Sequence, residues 1–248
     1  MERSSDFSGR TCLVTGGARG LGRATAERLL AGGATVILCD KDKSALDQAV
    51  GELNGKSPMA YGYVCDVSDP GSIEALVADV AKRFHVEVLV NNAGYYARRS
   101  IAEITLDEWD LVMNINLRGV FLMMRSFMGP MVERKYGRIV NVASVDAYTA
   151  KPANCHYAVS KAGVVSLTKS FASELVKQGV FVNAVSPAAM STETAKSQSW
   201  FAERAPLIPV GGAAEPESIA EIIAFLASEK NRFIVGEAVI ASGGAVMI

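Results

Sequence analysis

Only two histidines and four cysteines occur among the 248 residues. Cys12, Cys39, Cys65 and Cys155 stand far apart and form no CxxC pair, so they read as reduced thiols rather than a disulfide framework. With so few ligands and none clustered, no metal site is expected. Basic charge is not in excess either. Twenty-five Lys and Arg face 26 Asp and Glu, which removes the electrostatic footprint of a nucleic-acid binder. Every apolar run is interrupted by Lys, Arg, Asp or Glu before it reaches membrane-spanning length. Residues 1–6 lack the apolar core of a signal peptide, so the expectation is a cytoplasmic protein with no membrane partner. Linkers, repeats and low-complexity tracts are absent, and residues 1–248 read as one domain.

Half of the residues are hydrophobic, and their order is regular. Short β-branched runs at 11–15, 35–39, 59–65, 86–91, 138–142, 181–185 and 238–241 are mostly apolar on both faces, as in a parallel sheet covered on both sides. Between them lie helical periods. Ile73, Leu76, Val77, Val80 and Phe84 recur at helical spacing after the start signal Asp69-Pro70, and Ile219, Ile222, Ile223 and Leu226 after Glu215-Pro216. Alternation of this kind specifies an α/β fold, a Rossmann-like doubly wound parallel sheet. Residues 190–212 show no clear period, and a substrate lid is expected there.

The first strand runs into Gly16-Gly17-Ala18-Arg19-Gly20-Leu21-Gly22, and a helical pattern follows. Glycines at 16, 20 and 22 allow a sharp turn and close approach of a pyrophosphate to the backbone, at a helix N-terminus that favours anions. Asp40 closes the second strand, where a carboxylate accepts from both adenosine ribose hydroxyls and repels a 2′-phosphate. That selects NAD. The alternative for Asp40 is a solvated helix cap, and Arg19 points the other way, since a cation in the loop welcomes a 2′-phosphate.

Further along stand Asp66-Val67, Asn91-Asn92-Ala93-Gly94, Asn116-Leu117, Ser144, Tyr157-Ala158-Val159-Ser160-Lys161 and Ser186-Pro187. With the glycine loop, this order resembles the short-chain dehydrogenase/reductase family of the single-domain type, across essentially the whole chain. Spacing carries part of the chemistry independently. Tyr157 and Lys161 are i and i+4 on one helix face, and an ammonium beside a phenol is expected to lower its pKa toward working pH. Such a tyrosine exchanges a proton with an alcohol oxygen, while Ser144, at the end of the fifth strand, holds that oxygen. The resemblance implies the same catalytic roles for Ser144, Tyr157 and Lys161, adds that Lys161 holds the nicotinamide ribose, and gives Asn116 a water that relays protons. It implies cofactor contacts at Gly16, Arg19, Gly20, Leu21, Gly22, Asp40, Asp66, Val67, Asn92, Gly94, Tyr157, Lys161, Pro187 and Thr192. The resemblance also points to a candidate substrate lining of Tyr95, Tyr96, Ser144, Asp146, Tyr148, Asn154 and Tyr157, with the 190–212 lid. Asp146 favours a polyhydroxy or cationic substrate, unless it faces solvent or caps a turn. His156 reads as a surface or packing residue, and the Met123–Met131 stretch as helix packing.

Two segments depart from the family pattern. Ala188 replaces the glycine usually found after Pro187, and Ala241-Ser242-Gly243-Gly244 replaces Val-Asp-Gly-Gly. The expected activity is hydride transfer between NAD(H) and a small polar secondary alcohol or ketone. The alternatives are an NADP-dependent carbonyl or 3-oxoacyl reductase, and a non-catalytic dinucleotide-sensing regulator. The resemblance also implies a homotetramer, and the long apolar helical stretches 106–134 and 157–178 carry more apolar residues than one buried stripe requires.

Overall fold

A computed structural model describes residues 6–55 and 58–248. Residues 1–5, part of the stretch read for a signal peptide, lie outside the described residues. Seven parallel strands form one sheet in the order β3-β2-β1-β4-β5-β6-β7. They are β1 (Thr11–Thr15), β2 (Thr35–Asp40), β3 (Ala60–Val64), β4 (Val88–Asn91), β5 (Gly137–Val142), β6 (Val180–Pro187) and β7 (Ala238–Ala241). All seven coincide with the runs expected from sequence, with ends shifted by one or two residues.

Alternation along each strand divides the core in two. Cys12 and Val14 of β1 face one side and Leu13 the other. The first side packs against α1 (Gly20–Ala31), α2 (Lys43–Asn54) and α9 (Pro216–Ala227) through Leu29, Leu46, Leu53, Ile219 and Ile223. The second packs against α3 (Pro70–Ala81), α5 (Gly119–Glu133) and α6 (Cys155–Leu175) through Ile73, Leu76, Val80, Phe127, Val164 and Leu175. Met123, Met124 and Met131 are buried here, as packing residues. The start signals hold. Asp69 caps α3 by accepting from the Gly71 N–H at 3.0 Å, with Pro70 in the first turn, and Pro216 opens α9.

The helical stretch after residue 105 is not uniform. α4 (Leu106–Met113) passes through a π-helical turn, Asn114–Arg118, before α5 begins. Such turns concentrate at functional sites, because they displace the regular backbone ladder.

The strand order reverses between β1 and β4, and the crevice opens at their C-terminal ends. The Gly16–Gly22 loop sits there with no room to spare. Gly16 has φ +62°, and a Cβ on it would lie 2.9 Å from Ala93 Cα. A Cβ on Gly22 would lie 2.0 Å from the Gly16 carbonyl oxygen and 2.5 Å from Asn92 Nδ2.

Gly22→Ala is therefore expected to cost at least the ~1–3 kcal/mol typical of overpacking. Gly51→Ala, in α2 with nothing within 4 Å of the added Cβ, is expected to gain about 0.5–1 kcal/mol. Chemical denaturation of the three proteins checks both, and a Gly22→Ala protein as stable as the wild type would show that the loop yields freely.

Candidate active site

The phosphate cradle is built from backbone. Arg19 stands at the N-cap of α1 and provides no side-chain cap, so the first N–H groups of that helix face the crevice without side-chain partners. Leu21 is buried behind them and anchors the turn to the core. Asn92 clamps the loop from β4: its Nδ2 donates to the Thr15 carbonyl at 2.9 Å and the Gly16 carbonyl at 3.0 Å. The Thr15 hydroxyl accepts from the Asn92 and Ala93 N–H groups, both at 2.9 Å. Thr192 lies across the loop, its Cγ2 3.3 Å from where a Cβ of Gly20 would stand.

Asp40 ends β2 facing the loop. One carboxylate oxygen accepts from the Ala18 N–H at 3.2 Å and the other from the Asp42 N–H at 3.1 Å. It is not the cap of α2, because Asp42 fills that role by accepting from Ala45 N–H. Arg19 forms an ion pair with Asp42. Asp66 follows β3 and its Oδ1 accepts from the Ser68 backbone at 2.9 Å and the Ser68 hydroxyl at 2.6 Å, with Val67 buried beside it.

At the other end of the crevice, Ser144 lies two residues beyond β5 and opens a 3₁₀ turn. Its hydroxyl accepts from the Asp146 N–H at 3.1 Å, which leaves its proton to be donated, and it is hydrogen-bonded to the Tyr157 phenol. Tyr157 and Lys161 share one face of α6, with Nζ 5.7 Å from the Tyr157 ring centroid. Lys161 is buried and donates to the Val142 carbonyl at 2.7 Å. No carboxylate answers its charge among the described residues. Burial alone lowers its pKa to about 8. Gly94 leaves the space beside it, since a Cβ there would stand 3.6 Å from Nζ and 3.5 Å from Asn116 Oδ1.

The expected lowering of the Tyr157 pKa is corrected by the structure. Burial raises it well above the ordinary tyrosine value, and the Asp146 charge adds to the rise, while the Ser144 hydrogen bond pulls the other way. The ammonium of Lys161 is turned to Val142, not to the phenol oxygen. Burial thus favours the protonated phenol at Tyr157.

Asn116 is fully buried in the π turn. Its Oδ1 accepts from the Tyr95 N–H at 2.7 Å, and its Nδ2 donates to the Tyr95 carbonyl at 2.9 Å and the Ser160 hydroxyl at 3.1 Å. It ties the chain just beyond Gly94 to α6, so it positions the lysine pocket. Asp146 is also buried, and its charge is already answered by Lys151 Nζ at 2.9 Å and the Asn154 amide at 2.8 Å. A cationic substrate therefore loses its reason. The Tyr148 and Ser186 hydroxyls meet at 3.1 Å beside Pro187, which ends β6.

Residues 190–212 are not structureless. They carry α7 (Glu193–Lys196), α8 (Ser199–Arg204) and a 3₁₀ turn, Ala205–Leu207. Met190 bridges Ala214 at the base of this excursion. Trp200 of α8 packs 5.5 Å from the Tyr96 ring, which in turn meets the Tyr157 ring edge-on at 4.8 Å. The family departures are accommodated: Ala188 does not need a positive φ, and Ser242 Oγ staples the C-terminal turn through Val246. His156 is a packing residue, fully buried. Sequence reasoning assigned no role to Thr15, Ser160 or Lys151, although Ser160 lies within the Tyr157–Lys161 motif. Thr15 and Ser160 act through partners distant in sequence, Asn92 and Asn116, and Lys151 acts across a turn.

The crevice fits a nicotinamide dinucleotide on these observations: uncapped helix amides, glycines that cannot accept a Cβ, a carboxylate at the end of β2, and a buried ammonium with spare donors. Lys161 also yields a pH signature. The unfolded lysine keeps its proton to about 10.5 and the folded one to about 8. Between these values the unfolded chain binds more protons, so the burial penalty is full below pH 8 and fades as pH rises. The Tm advantage of Lys161→Met over the wild type should therefore shrink from pH 7.5 to 9.5. A constant difference would show that the lysine is not held near 8.

The chain resembles known proteins over nearly its whole length. Residues 16–246 match the family model described as enoyl-(acyl carrier protein) reductase. The chain is 37% identical to 3-oxoacyl-(acyl-carrier-protein) reductase FabG of Thermotoga maritima over 97% of this chain and 99% of that one. A crystal structure of 3-oxoacyl-(acyl-carrier protein) reductase from Brucella melitensis superposes with TM-score 0.93 at 33% identity, covering 99% of this chain and 94% of that one. A putative gluconate dehydrogenase from Agrobacterium tumefaciens does so with TM-score 0.93 at 30% identity, covering 98% and 99%. The crevice and these likenesses agree: the chain belongs to the short-chain dehydrogenase/reductase family and is an oxidoreductase acting on CH–OH groups.

Proposed function

We propose that the protein interconverts a secondary alcohol and its ketone with NAD(H), using Ser144, Tyr157 and Lys161. The observation that carries this reading is the convergence of these three groups beside Gly94 at the open end of the crevice. The bound nicotinamide would supply or accept the hydride. The protein's own residues do the rest. Ser144, oriented by the Asp146 N–H, donates to the substrate oxygen. Tyr157 gives that oxygen its proton in reduction and takes it back in oxidation. Lys161, held by the Val142 carbonyl, would offer its remaining donors to the nicotinamide ribose.

Preference for NAD over NADP rests on Asp40. Its carboxylate faces the loop where a 2′-phosphate would lie, while Arg19, the cation that could welcome that phosphate, is engaged by Asp42. The names of the relatives favour a second reading, reduction of a 3-oxoacyl thioester. Initial rates with a panel of neutral ketones and alcohols, run with each nucleotide, test the proposal. NADH should give the higher kcat/KM, and Tyr157→Phe should lower kcat by at least roughly 10²-fold with nucleotide affinity retained. Faster turnover with NADPH would overturn the cofactor assignment, and a Phe variant with near-normal kcat would remove Tyr157 from the mechanism.

A homotetramer is part of this reading. Leu106 and Leu111 of α4, Phe121 of α5 and Val159 of α6 leave apolar surface exposed on one group of helices. Light scattering at micromolar concentration should give about four times the chain mass, and a monomer would reject the assembly.

A further inference from the structure

A cavity of about 1030 Å³ opens over Ser144 and Tyr157. Four cationic side chains line it (Arg98, Arg99, Lys151 and Arg204) and two anionic ones (Glu108 and Asp146). Both anions are taken. Arg99 pairs with Glu108 at 3.2 Å and Lys151 with Asp146 at 2.9 Å. Arg98 and Arg204 have no carboxylate partner among the described residues, so this cavity carries uncompensated positive charge in a chain whose net charge is −1.

Arg98 and Arg204 line the same cavity as Tyr96. Burial raises the Tyr96 pKa and the Asp146 charge adds to the rise, while both guanidinium groups draw it down. Tyr96 is the residue whose ring meets Tyr157 at 4.8 Å, so the two guanidinium groups that act on it stand at the same end of the cavity as the reacting groups. Trp200 and Ile208 add apolar surface to the same lining. Two forked donors suit a planar anion with two oxygens.

We propose that the substrate carries its own carboxylate, bound by Arg98 and Arg204 beside Tyr96 while its carbonyl or alcohol carbon lies at Ser144 and Tyr157. This rests on the alcohol–ketone reading above and names its substrate class. A small oxo or hydroxy acid places its carboxylate within a few bonds of the reacting carbon. A carrier-bound thioester puts its nearest phosphate a whole pantetheine arm away, too far from a cluster that adjoins Tyr157 through one ring contact.

The test uses short straight-chain 2-, 3- and 4-oxo acids, each beside its methyl ester, with acetoacetyl coenzyme A as the carrier-bound comparison. The best acid should exceed its own ester in kcat/KM by roughly tenfold or more, the scale of a charge-assisted hydrogen bond, with the gain in KM. The acid-to-ester ratio should fall as salt rises. It should drop toward one in the Arg98→Gln/Arg204→Gln protein and be partly kept in the Arg98→Lys/Arg204→Lys protein. Because the ratio is internal to each protein, loss of folded material does not imitate the effect. Esters turned over as well as acids, a ratio unchanged by the double Gln variant, or a preference for the coenzyme A thioester would each overturn the inference. If neutral ketones are reduced and all acids are inert, the inference alone falls. If every ketone is inert with both nucleotides, the alcohol–ketone reading falls with it.

Discussion

The amide of Asn92 holds the site together. One side chain at the end of β4 donates to two successive carbonyls at the end of β1, and so joins the two halves of the sheet where the strand order reverses. The space it occupies is the space that Gly22 must leave empty. Everything that would face a dinucleotide is referenced to this contact: the helix amides of α1 on one side, and Gly94 with the lysine pocket on the other. A buried carbonyl without a partner is costly, so the clamp satisfies the loop as well as shaping it.

Electrostatics at the far end depends on dehydration more than on ion pairing. Lys161 has one carbonyl and no acid, and Tyr157 is pushed up by the same burial. Both groups are displaced toward their neutral forms, lysine downward and tyrosine upward, as burial without a counter-charge requires. Asp146 contributes twice: its backbone N–H orients the serine, and its carboxylate, held by Lys151 and Asn154, adds to the rise at Tyr157. Asn116 fixes the geometry from behind, saturating the Tyr95 peptide so that the lysine pocket keeps its width.

The sheet was legible in the sequence because its signal is local. A buried parallel strand must be apolar on both faces, as the inner runs are, while the edge strands β3 and β7 are only partly buried and show mainly by their β-branched and aromatic residues. The glycine loop and the Tyr157–Lys161 pair were legible for the same reason: each is a short spacing with a mechanical meaning. Effects that need a distant partner were not. The tyrosine was expected to feel its lysine neighbour on the helix, but Val142, from the adjoining strand, takes the ammonium. Asp146 read as an open charge because nothing in its spacing announces Lys151 as its counterion. Residues 190–212 have too few apolar positions per turn for α7 and α8 to show a period, since short helices packed at one edge need only one or two anchors such as Trp200.

The excursion that carries Trp200 and Arg204 leaves the sheet at one point and returns at the same point. Met190 bridges Ala214, the Ser191 N–H donates to the Ala214 carbonyl at 2.8 Å, and the Ala214 N–H donates to the Ala189 carbonyl at 3.0 Å. A segment whose two ends are stitched together behaves as an exchangeable cassette. Its inner residues can be replaced, lengthened or shortened while the stitch keeps β6 and α9 in register, because closing a longer loop adds little entropy cost once the ends are fixed. The segment can then change in length and composition while Ser144, Tyr157 and Lys161 keep their places just beyond β5 and on α6.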